Sequence, residues 1–338
     1  MKKDINKKII IGFSIGDYNS IGPEIFLKSF SSTNLFKNCI PIIFCEESIL
    51  DYYKKKFKIN IKIKALKNFD SIKDQKCIYT FSSKRKEIIP KPGEINKDAG
   101  NYAIKSLNEC SNALIENKID GIVTLPISKI NSQSKKFKFP GHTEFFLEKF
   151  HIKENMMIMY SKLMIVGFVS GHIPFNSVKS VLDKKYIEKK FKIFAGSLKR
   201  DFNIKNPKVA ILGLNPHAGE DGLLGYEEIK MINPIIKKLN KNKKTYEGPF
   251  SSDSFFGLKK FQNYDGVISW YHDQGLIGFK SFSFDDGVNF TGGMPIVRTS
   301  PDHGTAFNIA GKGISSEKSL VNSIKLNIEI INNRKFLK

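Results

Sequence analysis

Three of the six histidines occupy equivalent places in the sequence, each just after a short apolar run that reads as a strand. They are His172 in SGHIP, His217 in NPHAG and His272 in YHDQG. Three imidazoles that converge can bind a divalent cation and leave a coordination position open for a substrate. The spacing is too long for a local metal motif, so each residue alone is equally well read as a hydrogen-bonded loop histidine. Their shared placement favours a metal site.

The segment 264–313 carries further polar residues between strand-like apolar runs, among them Lys280, Asn289 and Arg298. Lysine offers an anion a point charge, whereas arginine offers a two-pronged fork that fits phosphate or carboxylate. Arg298 is one of only four arginines in the chain, which makes its position between two polar motifs informative. Lys280, like Lys129 in LPISK, would by itself read as an ordinary surface lysine. The segment predicts one wall of an active site.

Four other residues could have functional or structural roles. His142 in GHTEFF could face a substrate anion. Asp253 in GPFSSDSFF is either a helix N-cap or a carboxylate that orients a metal-bound group or takes a proton. His303 is at least as well explained by capping a helix over TAFNIAG as by catalysis, and His151 is expected at the surface.

The elements that must position these residues alternate along the chain as strands and helices. The strands are nearly continuous apolar runs, which is typical of an α/β protein with a mostly parallel sheet. In such sheets functional loops lie at the carboxyl ends of strands. Five polar motifs do follow predicted strands, and this favours a single shared site: GDYNSIG after 8–15, LPISK after 120–124, SGHIPFN after 163–169, NPHAGE after 208–214 and YHDQG after 266–270.

Several boundaries can also be predicted. Asp98 is expected to cap a helix that runs to about Asn117 and packs Cys110 into the core. The runs MMIMYS and LMIVGFVS predict a hairpin of two strands, and GYEEIKMINPIIKKL predicts a helix bent at Pro234. The lysine-rich stretch 52–90 reads as irregular with a peripheral strand or two, and a closing helix is expected from about Glu317.

Composition excludes several function classes. The net charge of +22 is almost entirely lysine and is scattered along the chain, without the clustered basic and aromatic residues of a nucleic-acid-binding protein. The four cysteines form no C-x-x-C pair and fit a reducing cytosol. No apolar run is long enough to cross a bilayer, and the short run near the N-terminus lacks a signal-peptide cleavage pattern, so a soluble cytoplasmic protein is expected. G-x-G-x-x-G, P-loop and HExxH motifs are all missing from the sequence.

The motifs together resemble those of the 4-hydroxythreonine-4-phosphate dehydrogenase (PdxA) family of vitamin B6 biosynthesis. The resemblance runs in order from residue 16 to residue 313, and it is carried by GDYNSIGPEI, LPISK, PGHTEFF, GHIPF, GLNPHAGEDGLLGYEE, GPFSSDS, YDGVISWYHDQGL and GVNFTGGMPIVRTSPDHGTAFNIAGKG. It implies two α/β domains similar to those of isocitrate and isopropylmalate dehydrogenases, with the active-site cleft between them. The first domain would comprise 1–125 and 300–338, and the second 126–299.

The resemblance also implies the reaction. NAD, or NADP, would oxidise the secondary alcohol of 4-hydroxythreonine 4-phosphate, and the β-keto acid would lose CO₂ to give 3-amino-2-oxopropyl phosphate. The alternative is a paralogue that oxidises another four-carbon hydroxy-acid phosphate with the same metal and NAD chemistry. The enzyme would be a homodimer with its active site shared between subunits, acting on a small phosphorylated substrate without nucleic acid or membrane.

The site residues follow from the same resemblance. His172, His217 and His272 would hold a divalent Zn, Mg or Co ion, with one of the three supplied by the partner subunit; His272 is the one expected to reach across. Asp253 would lie at the reacting centre. The substrate would be bound by His142, Thr143, Lys280, Asn289 and Arg298. The residues that contact NAD are not identified.

The sequence departs from the family pattern at two places. Tyr18 stands where the family usually has proline in the first loop, and it is expected to alter the cleft wall. Asp285 and Asp286 precede GVN, where the family tends to have glycine and a basic residue, and their charge is expected to shift substrate preference.

Overall fold

The computed structural model describes residues 8–336 except 75, 84–85 and 135–136. In chain order the strands are β1 Ile9–Ser14, β2 Cys39–Phe44, β3 Ile63–Ala65, β4 Ile78–Thr80, β5 Gly121–Thr124, β6 Met156–Tyr160, β7 Ile165–Phe168, β8 Val209–Leu212, β9 Tyr246–Phe250, β10 Gly266–Ser269, β11 Val288–Gly292 and β12 Arg298–Pro301. The α-helices are α1 Gly22–Ser31, α2 Glu47–Lys56, α3 Lys97–Ile115, α4 Lys129–Ser132, α5 His142–Lys149, α6 Lys184–Arg200, α7 Asn233–Leu239, α8 Ser252–Gly257, α9 His272–Ser283 and α10 Lys318–Phe336. A single π-helical turn, Glu228–Ile232, precedes α7.

The chain divides into two compact units. One comprises the chain up to Phe150 together with Ile296–Ile331, and the other comprises His151–Pro295 together with the chain from Asn332. The domain limits expected at 125 and 300, and the cleft between domains, stay predictions.

The first unit contains parallel strands in the order β3-β4-β2-β1-β5-β12. Their side chains are mostly buried, as the apolar runs predict for parallel strands covered on both faces. The loop after β1 is fixed to the segment after β5, because the Asp17 backbone N–H donates to the Pro126 carbonyl at 2.9 Å. Asp17 is fully buried and accepts from the Asn131 amide at 2.7 Å.

The second unit contains strands in the order β11-β6-β7-β10-β8-β9. The strands β7, β10, β8 and β9 run parallel, whereas β6 pairs antiparallel with both β7 and β11. The expected hairpin is therefore confirmed as β6–β7. Because β7, β10 and β8 are adjacent and parallel, their carboxyl ends lie at one edge of the sheet.

Glycine allows helices to pack closely on this second group of strands. A Cβ atom at Gly275 in α9 would lie 2.3 Å from the Ser269 hydroxyl, so α9 rests directly against β10. Phe168, Phe255 and Phe279 are buried in the apolar core beneath α8 and α9. The residues that begin α9 are thereby held close to the strand ends.

Some local expectations need correction. Asn96, not Asp98, caps α3: its side chain accepts the Ala99 backbone N–H at 2.9 Å, and Asp98 lies inside the first turn. The region predicted as a helix over TAFNIAG consists of turns, because Ala306 and Gly311 adopt left-handed conformations with φ of 42° and 74°. His303 therefore caps no helix.

The cysteines, Tyr18 and the helix lengths can also be compared with the predictions from the sequence. Cys110 is buried as predicted, and all four cysteines are buried free thiols. Tyr18 is 7% exposed and packs edge-on against Tyr102 at 5.6 Å, so its ring contributes to the core of the first unit. In the described part of the chain, no helix has the length and apolar character that crossing a bilayer requires.

Candidate active site

His172 and His272 lie close together. The centroids of their imidazole rings are 5.0 Å apart. His172 follows β7 and His272 begins α9 directly after β10, and these two strands are paired. The pairing continues past the strand ends, since the Ser170 backbone N–H donates to the Trp270 carbonyl at 3.0 Å and the Ser170 hydroxyl donates to the same oxygen at 2.7 Å. The backbone thus fixes the separation of the two histidines.

The neighbour of His272 orients its ring. Nδ1 of His272 lies 2.6 Å from Oδ1 of Asp273. An N–H donated from Nδ1 to a carboxylate leaves Nε2 with a lone pair for a metal and increases its basicity. The side chain of His272 is 30% exposed, so a ligand can reach it.

Gln274 connects this helix start to the neighbouring strand ends. Its side-chain oxygen accepts the Trp270 backbone N–H at 2.8 Å. Its amide nitrogen donates to the Gly213 carbonyl at 2.6 Å, just after β8, and to the Ser252 hydroxyl at 2.8 Å, at the start of α8. One side chain therefore fixes α9 relative to the loop that carries His217.

His217 lies on a backbone segment of unusual conformation. From His217 to Asp221 five consecutive residues have φ between 43° and 83°, which is the left-handed region. Only one of them, Gly219, lacks a Cβ atom; for the others this conformation costs about 1–2 kcal/mol each. Strain of this kind persists only where surrounding contacts hold it, and such segments are concentrated at functional sites.

Asp253 lies close enough to His217 for that residue to affect the pKa of its carboxyl group. It lies in the first turn of α8, after Ser251 at the N-cap, so it is not the N-cap residue itself. The Ser251 hydroxyl and the Ser254 backbone N–H donate to its carboxylate, and these bonds, with a smaller effect of His217, lower the pKa of Asp253 below its usual value. Asp253 is exposed and ionised at neutral pH.

The donor chemistry of this edge fits a divalent metal. Three imidazoles follow three adjacent parallel strands, and one of them has a carboxylate partner of the kind that orients metal-binding histidines. Within the part of the chain that the structure describes, however, no three metal-binding side chains gather at one point. Of the three histidines predicted as ligands, His172 and His272 lie together in one chain.

The first unit contains a buried cation. Arg298 begins β12 and is 3% exposed. Its guanidinium donates to the Thr124 hydroxyl, at 2.7 Å from one terminal nitrogen and at 3.2 Å from Nε, and lies 5.9 Å from the centre of the Phe146 ring. No carboxylate among the described residues forms an ion pair with it, although Glu144 is close enough to raise its pKa. Burial outweighs that effect and lowers the pKa to about 10, so Arg298 keeps its charge at neutral pH.

His142, the first residue of α5, lies in the field of Arg298. Burial and the Arg298 charge hold its pKa well below the usual value of an imidazole, so it is neutral. Its Nε2 atom is buried and has no hydrogen-bond partner among the described residues. An unpartnered polar atom beside an uncompensated guanidinium is a position where a ligand oxygen would satisfy both.

The structure places the remaining predicted residues separately. Thr143 follows His142 in the first turn of α5. Lys280 lies on the last turns of α9, lines a shallow depression with Asp273 and Ile277, and has the Phe284 ring at 5.5 Å. Asn289 is half-buried in β11 opposite Met159. Their roles stay predictions.

Two further residues at this edge, Gln274 and Glu228, could not be recognised from the sequence pattern. Glu228 is 2% exposed and accepts the Leu214 and Asn215 backbone N–H groups, both at 2.8 Å. An acidic residue at the start of a helix is usually explained by the helix dipole, so the sequence does not indicate that Glu228 accepts backbone N–H groups of a loop. The only signal was its closeness in sequence to NPHAGE.

Comparisons with known proteins agree with the motifs. The sequence profile of the family described as "Pyridoxal phosphate biosynthetic protein PdxA" matches residues 37–327. A 4-hydroxythreonine-4-phosphate dehydrogenase of Bacteroides thetaiotaomicron is 38% identical over 97% of this chain and 90% of its own length. A protein of Oceanobacillus iheyensis, provisionally named D-threonate 4-phosphate dehydrogenase, is 34% identical over 96% of this chain and 99% of its own.

A solved structure extends the likeness to three dimensions. The crystal structure of a 4-hydroxythreonine-4-phosphate dehydrogenase from Klebsiella pneumoniae superposes with a TM-score of 0.82 at 29% identity, covering 97% of this chain and 98% of the other. The expected family is thus confirmed by its profile, by relatives above 30% identity and by the fold. This chain belongs to the PdxA family of pyridoxal phosphate biosynthetic proteins.

Proposed function

We propose that this protein is a metal- and NAD-dependent dehydrogenase that oxidises the secondary alcohol of 4-hydroxythreonine 4-phosphate. The product is a β-keto acid, which loses CO₂ to give 3-amino-2-oxopropyl phosphate in pyridoxal phosphate biosynthesis. The observation that carries the proposal is the pair His172–His272, with ring centroids 5.0 Å apart at the edge where His217 also follows a strand. NADP can replace NAD in the same chemistry, and the cytoplasm is the expected compartment.

His172, His217 and His272 would hold the divalent cation, which is Zn, Mg or Co. The bound cation supplies a Lewis acid that stabilises the negative charge developing on the substrate oxygen. Asp273 keeps the ring of His272 oriented for this role. Asp253 is ionised and lies near His217, and its lowered pKa makes it a weak base, so it fits a carboxylate that orients a metal-bound group better than one that takes the proton.

Arg298 and His142 would bind the anionic substrate. A buried guanidinium with only a hydroxyl and an aromatic ring as partners can form charge-assisted hydrogen bonds with a phosphate or carboxylate. His142 is neutral and can therefore donate one hydrogen bond and accept another without repelling the arginine. Thr143, Lys280 and Asn289 complete the set that the family resemblance assigns to the substrate. Binding the remote anion turns its binding energy into positioning of the alcohol.

A homodimer with a shared site accounts for the incomplete metal cluster in one chain. His217 does not gather with His172 and His272 into a cluster of three donors within the described residues. Two large apolar side chains close in sequence to His172 and His217 are exposed: Phe175 is 76% exposed and Leu223 is 81% exposed. A subunit interface would cover such side chains. One of the three ligands would come from the partner. The sequence favours His272 for this role, whereas the closeness of His172 and His272 within one chain favours His217.

A second substrate has specific support. The Oceanobacillus iheyensis relative is provisionally named D-threonate 4-phosphate dehydrogenase, and its identity of 34% is similar to the 38% of the Bacteroides thetaiotaomicron enzyme. D-threonate 4-phosphate carries a hydroxyl where 4-hydroxythreonine 4-phosphate carries an ammonium group. The two candidates share the metal, the cofactor and the phosphate.

The two substrates can be separated by measuring NADH formation with each at several concentrations. We expect kcat/KM to be higher for 4-hydroxythreonine 4-phosphate than for D-threonate 4-phosphate. A higher kcat/KM for D-threonate 4-phosphate would identify that compound as the substrate instead. Oxidation of neither compound by the metal-loaded protein would contradict the proposed function.

A further inference from the structure

Glu228 is a buried carboxylate that the proposed reaction does not use. Its side chain forms no ion pair with a described residue. Its hydrogen bonds instead go to the loop after β8. Oε1 accepts the backbone N–H groups of Leu214 and Asn215, both at 2.8 Å. Oε2 accepts the Asn215 side-chain amide at 2.9 Å. These bonds hold the two residues that lead into the left-handed segment carrying His217.

The carboxylate also lies directly beneath that segment. A Cβ atom at Gly219 would lie 2.7 Å from Oε2 of Glu228, and Gly219 has a φ of +83°. Glycine is thus required both by the backbone conformation and by the closeness of the carboxylate. The loop and Glu228 fit against each other without space for a larger residue.

The π-helical turn that begins at Glu228 sets the position of this side chain beneath the loop. Glu228 begins the π-helical turn, in which the Asn233 backbone N–H donates to the Glu228 carbonyl. Pro234 follows at the start of α7 and has no N–H to offer. A wider turn avoids the clash of the proline ring, and π-turns are frequent at functional sites.

We propose that Glu228 is a positioning residue: it holds the left-handed segment and thereby sets the affinity of His217 for the metal. The inference rests on the proposed function, since it assumes that His217 is a metal ligand. Without the carboxylate charge, the bonds that hold the Leu214 and Asn215 N–H groups weaken, and the strained segment relaxes toward ordinary conformations. Metal binding must then restore the strained arrangement, so affinity falls although all three histidines remain.

Glu227 provides a matched control in the adjacent position. Its carboxylate accepts the Asn215 side-chain amide at 2.8 Å but no backbone N–H of the loop. It is half-buried, whereas Glu228 is 2% exposed. Glu227→Gln and Glu228→Gln remove the same charge and keep nearly the same shape. They differ in burial and in the charge-assisted bonds to the loop backbone, which only Glu228 makes.

The test is a titration of metal-free protein with Co²⁺, followed by the visible absorption of the bound ion. We expect Glu228→Gln to weaken Co²⁺ binding by about 10- to 100-fold, the range seen when a residue supporting a metal ligand is changed. Glu227→Gln should stay within about threefold of the unchanged protein, because it holds no loop N–H. Melting temperatures of both metal-free variants show whether a general loss of folding contributes.

Hydrogen exchange in the unchanged metal-free protein tests the inference without any variant. The Leu214 and Asn215 amides should exchange as slowly as those of β8, since a buried acceptor protects them. Exchange as fast as in an exposed loop would overturn the proposal even if Glu228→Gln does not fold.

The outcomes separate this inference from the proposed function. If Glu228→Gln binds Co²⁺ as tightly as the unchanged protein while His217→Ala does not bind it, the positioning role is wrong and the metal site stands. If His217→Ala binds Co²⁺ normally, the metal assignment itself fails, and this inference fails with it.

Discussion

The imidazole rings of His172 and His272 lie 5.0 Å apart because the chain segments that follow β7 and β10 stay hydrogen-bonded to each other beyond the strands. The pair is therefore built by the fold and does not depend on a metal to assemble it. Preorganised ligands lose little conformational freedom on binding, which favours affinity. The third histidine of the proposed site, His217, lies instead on the left-handed segment after β8.

Removing either member of this pair should abolish tight metal binding. We expect His172→Ala and His272→Ala to retain less than about a tenth of the bound metal after gel filtration, because two imidazoles do not replace a three-ligand site. Metal content per protomer is the measurement. His151→Ala is the control, since His151 is exposed and belongs to no predicted site, and it should keep the full content.

Mixing two inactive variants tests whether the site is shared between subunits. If the His217 and His272 of one site come from different subunits, a mixture of His217→Ala and His272→Ala should recover about a quarter of the activity after subunit exchange. Half of the dimers would be mixed, and each would contain one intact site. Recovery of no activity from fully exchanged subunits would show that His217 and His272 of one site come from the same chain.

The guanidinium geometry of Arg298, and not only its charge, should contribute to substrate affinity. Arg298→Lys keeps a cation but loses the fork that bonds an anion at two points, so we expect kcat/KM to fall by about 10- to 100-fold, mostly through KM. Steady-state kinetics with varied substrate measure this. Arg200→Lys makes the same exchange at a side chain that is 42% exposed and should leave KM unchanged. An unchanged KM in Arg298→Lys would remove this residue from substrate binding.

His142 should make the metal-free protein less stable in acid. Its pKa in the folded protein is held well below 6.5, first by burial and then by the charge of Arg298, while the unfolded chain has an ordinary imidazole. Below pH 6.5 the unfolded state binds more protons, so the free energy of unfolding falls by up to about 1.4 kcal/mol per pH unit. Above pH 6.5 both states are neutral and the group adds no pH dependence.

Urea unfolding of His142→Gln between pH 5 and 8 checks this prediction. The variant should lose part of the acid dependence, while His151→Gln should keep it. Acid slopes that match in the unchanged protein and His142→Gln would show that His142 is not held neutral.

Asp201 should be the residue whose loss most weakens the second unit. It is fully buried and accepts from Arg200 and Arg334, each at 2.8 Å, and its carbonyl accepts from Asn333. Asp201→Asn leaves Arg334, which is 13% exposed, without its counter-charge, and we expect the free energy of unfolding to fall by about 3 kcal/mol.

A surface ion pair gives the comparison for Asp201. Glu116 and Lys118 are 54% and 45% exposed, so Glu116→Gln should change the free energy of unfolding by less than about 1 kcal/mol. Equal effects of the two substitutions in thermal or urea unfolding would show that the Asp201 cluster is no stronger than a solvated pair.

The sequence predicted the parts of the fold that depend on apolar periodicity. Buried strands such as β8 and β10 are continuous apolar runs, and the histidines that follow them lie at one sheet edge because parallel strands end together. Helix α2 was missed because lysines dominate its C-terminal half, although Ile49, Leu50 and Tyr53 are buried at helical spacing. In that case the apolar pattern was present but obscured by charge.

Features set by long-range contacts could not be predicted. The left-handed segment at His217 is held by Glu228 from the following turn, and local propensity would disfavour such a conformation for Ala218 or Glu220. The helix expected over TAFNIAG fails for a similar reason, since Ala306 has a φ of 42°. Both are places where tertiary contacts override the intrinsic preference of the residues.

The most direct test of the central claim is NADH formation from 4-hydroxythreonine 4-phosphate by metal-free protein and by the same protein reloaded with Zn²⁺, Mg²⁺ or Co²⁺. The unphosphorylated alcohol serves as the control substrate. We expect activity only after reloading, with kcat/KM for the phosphorylated compound higher by at least about 100-fold, because the anion supplies much of the positioning energy. Equal turnover with and without metal, or with and without the phosphate, would contradict the account.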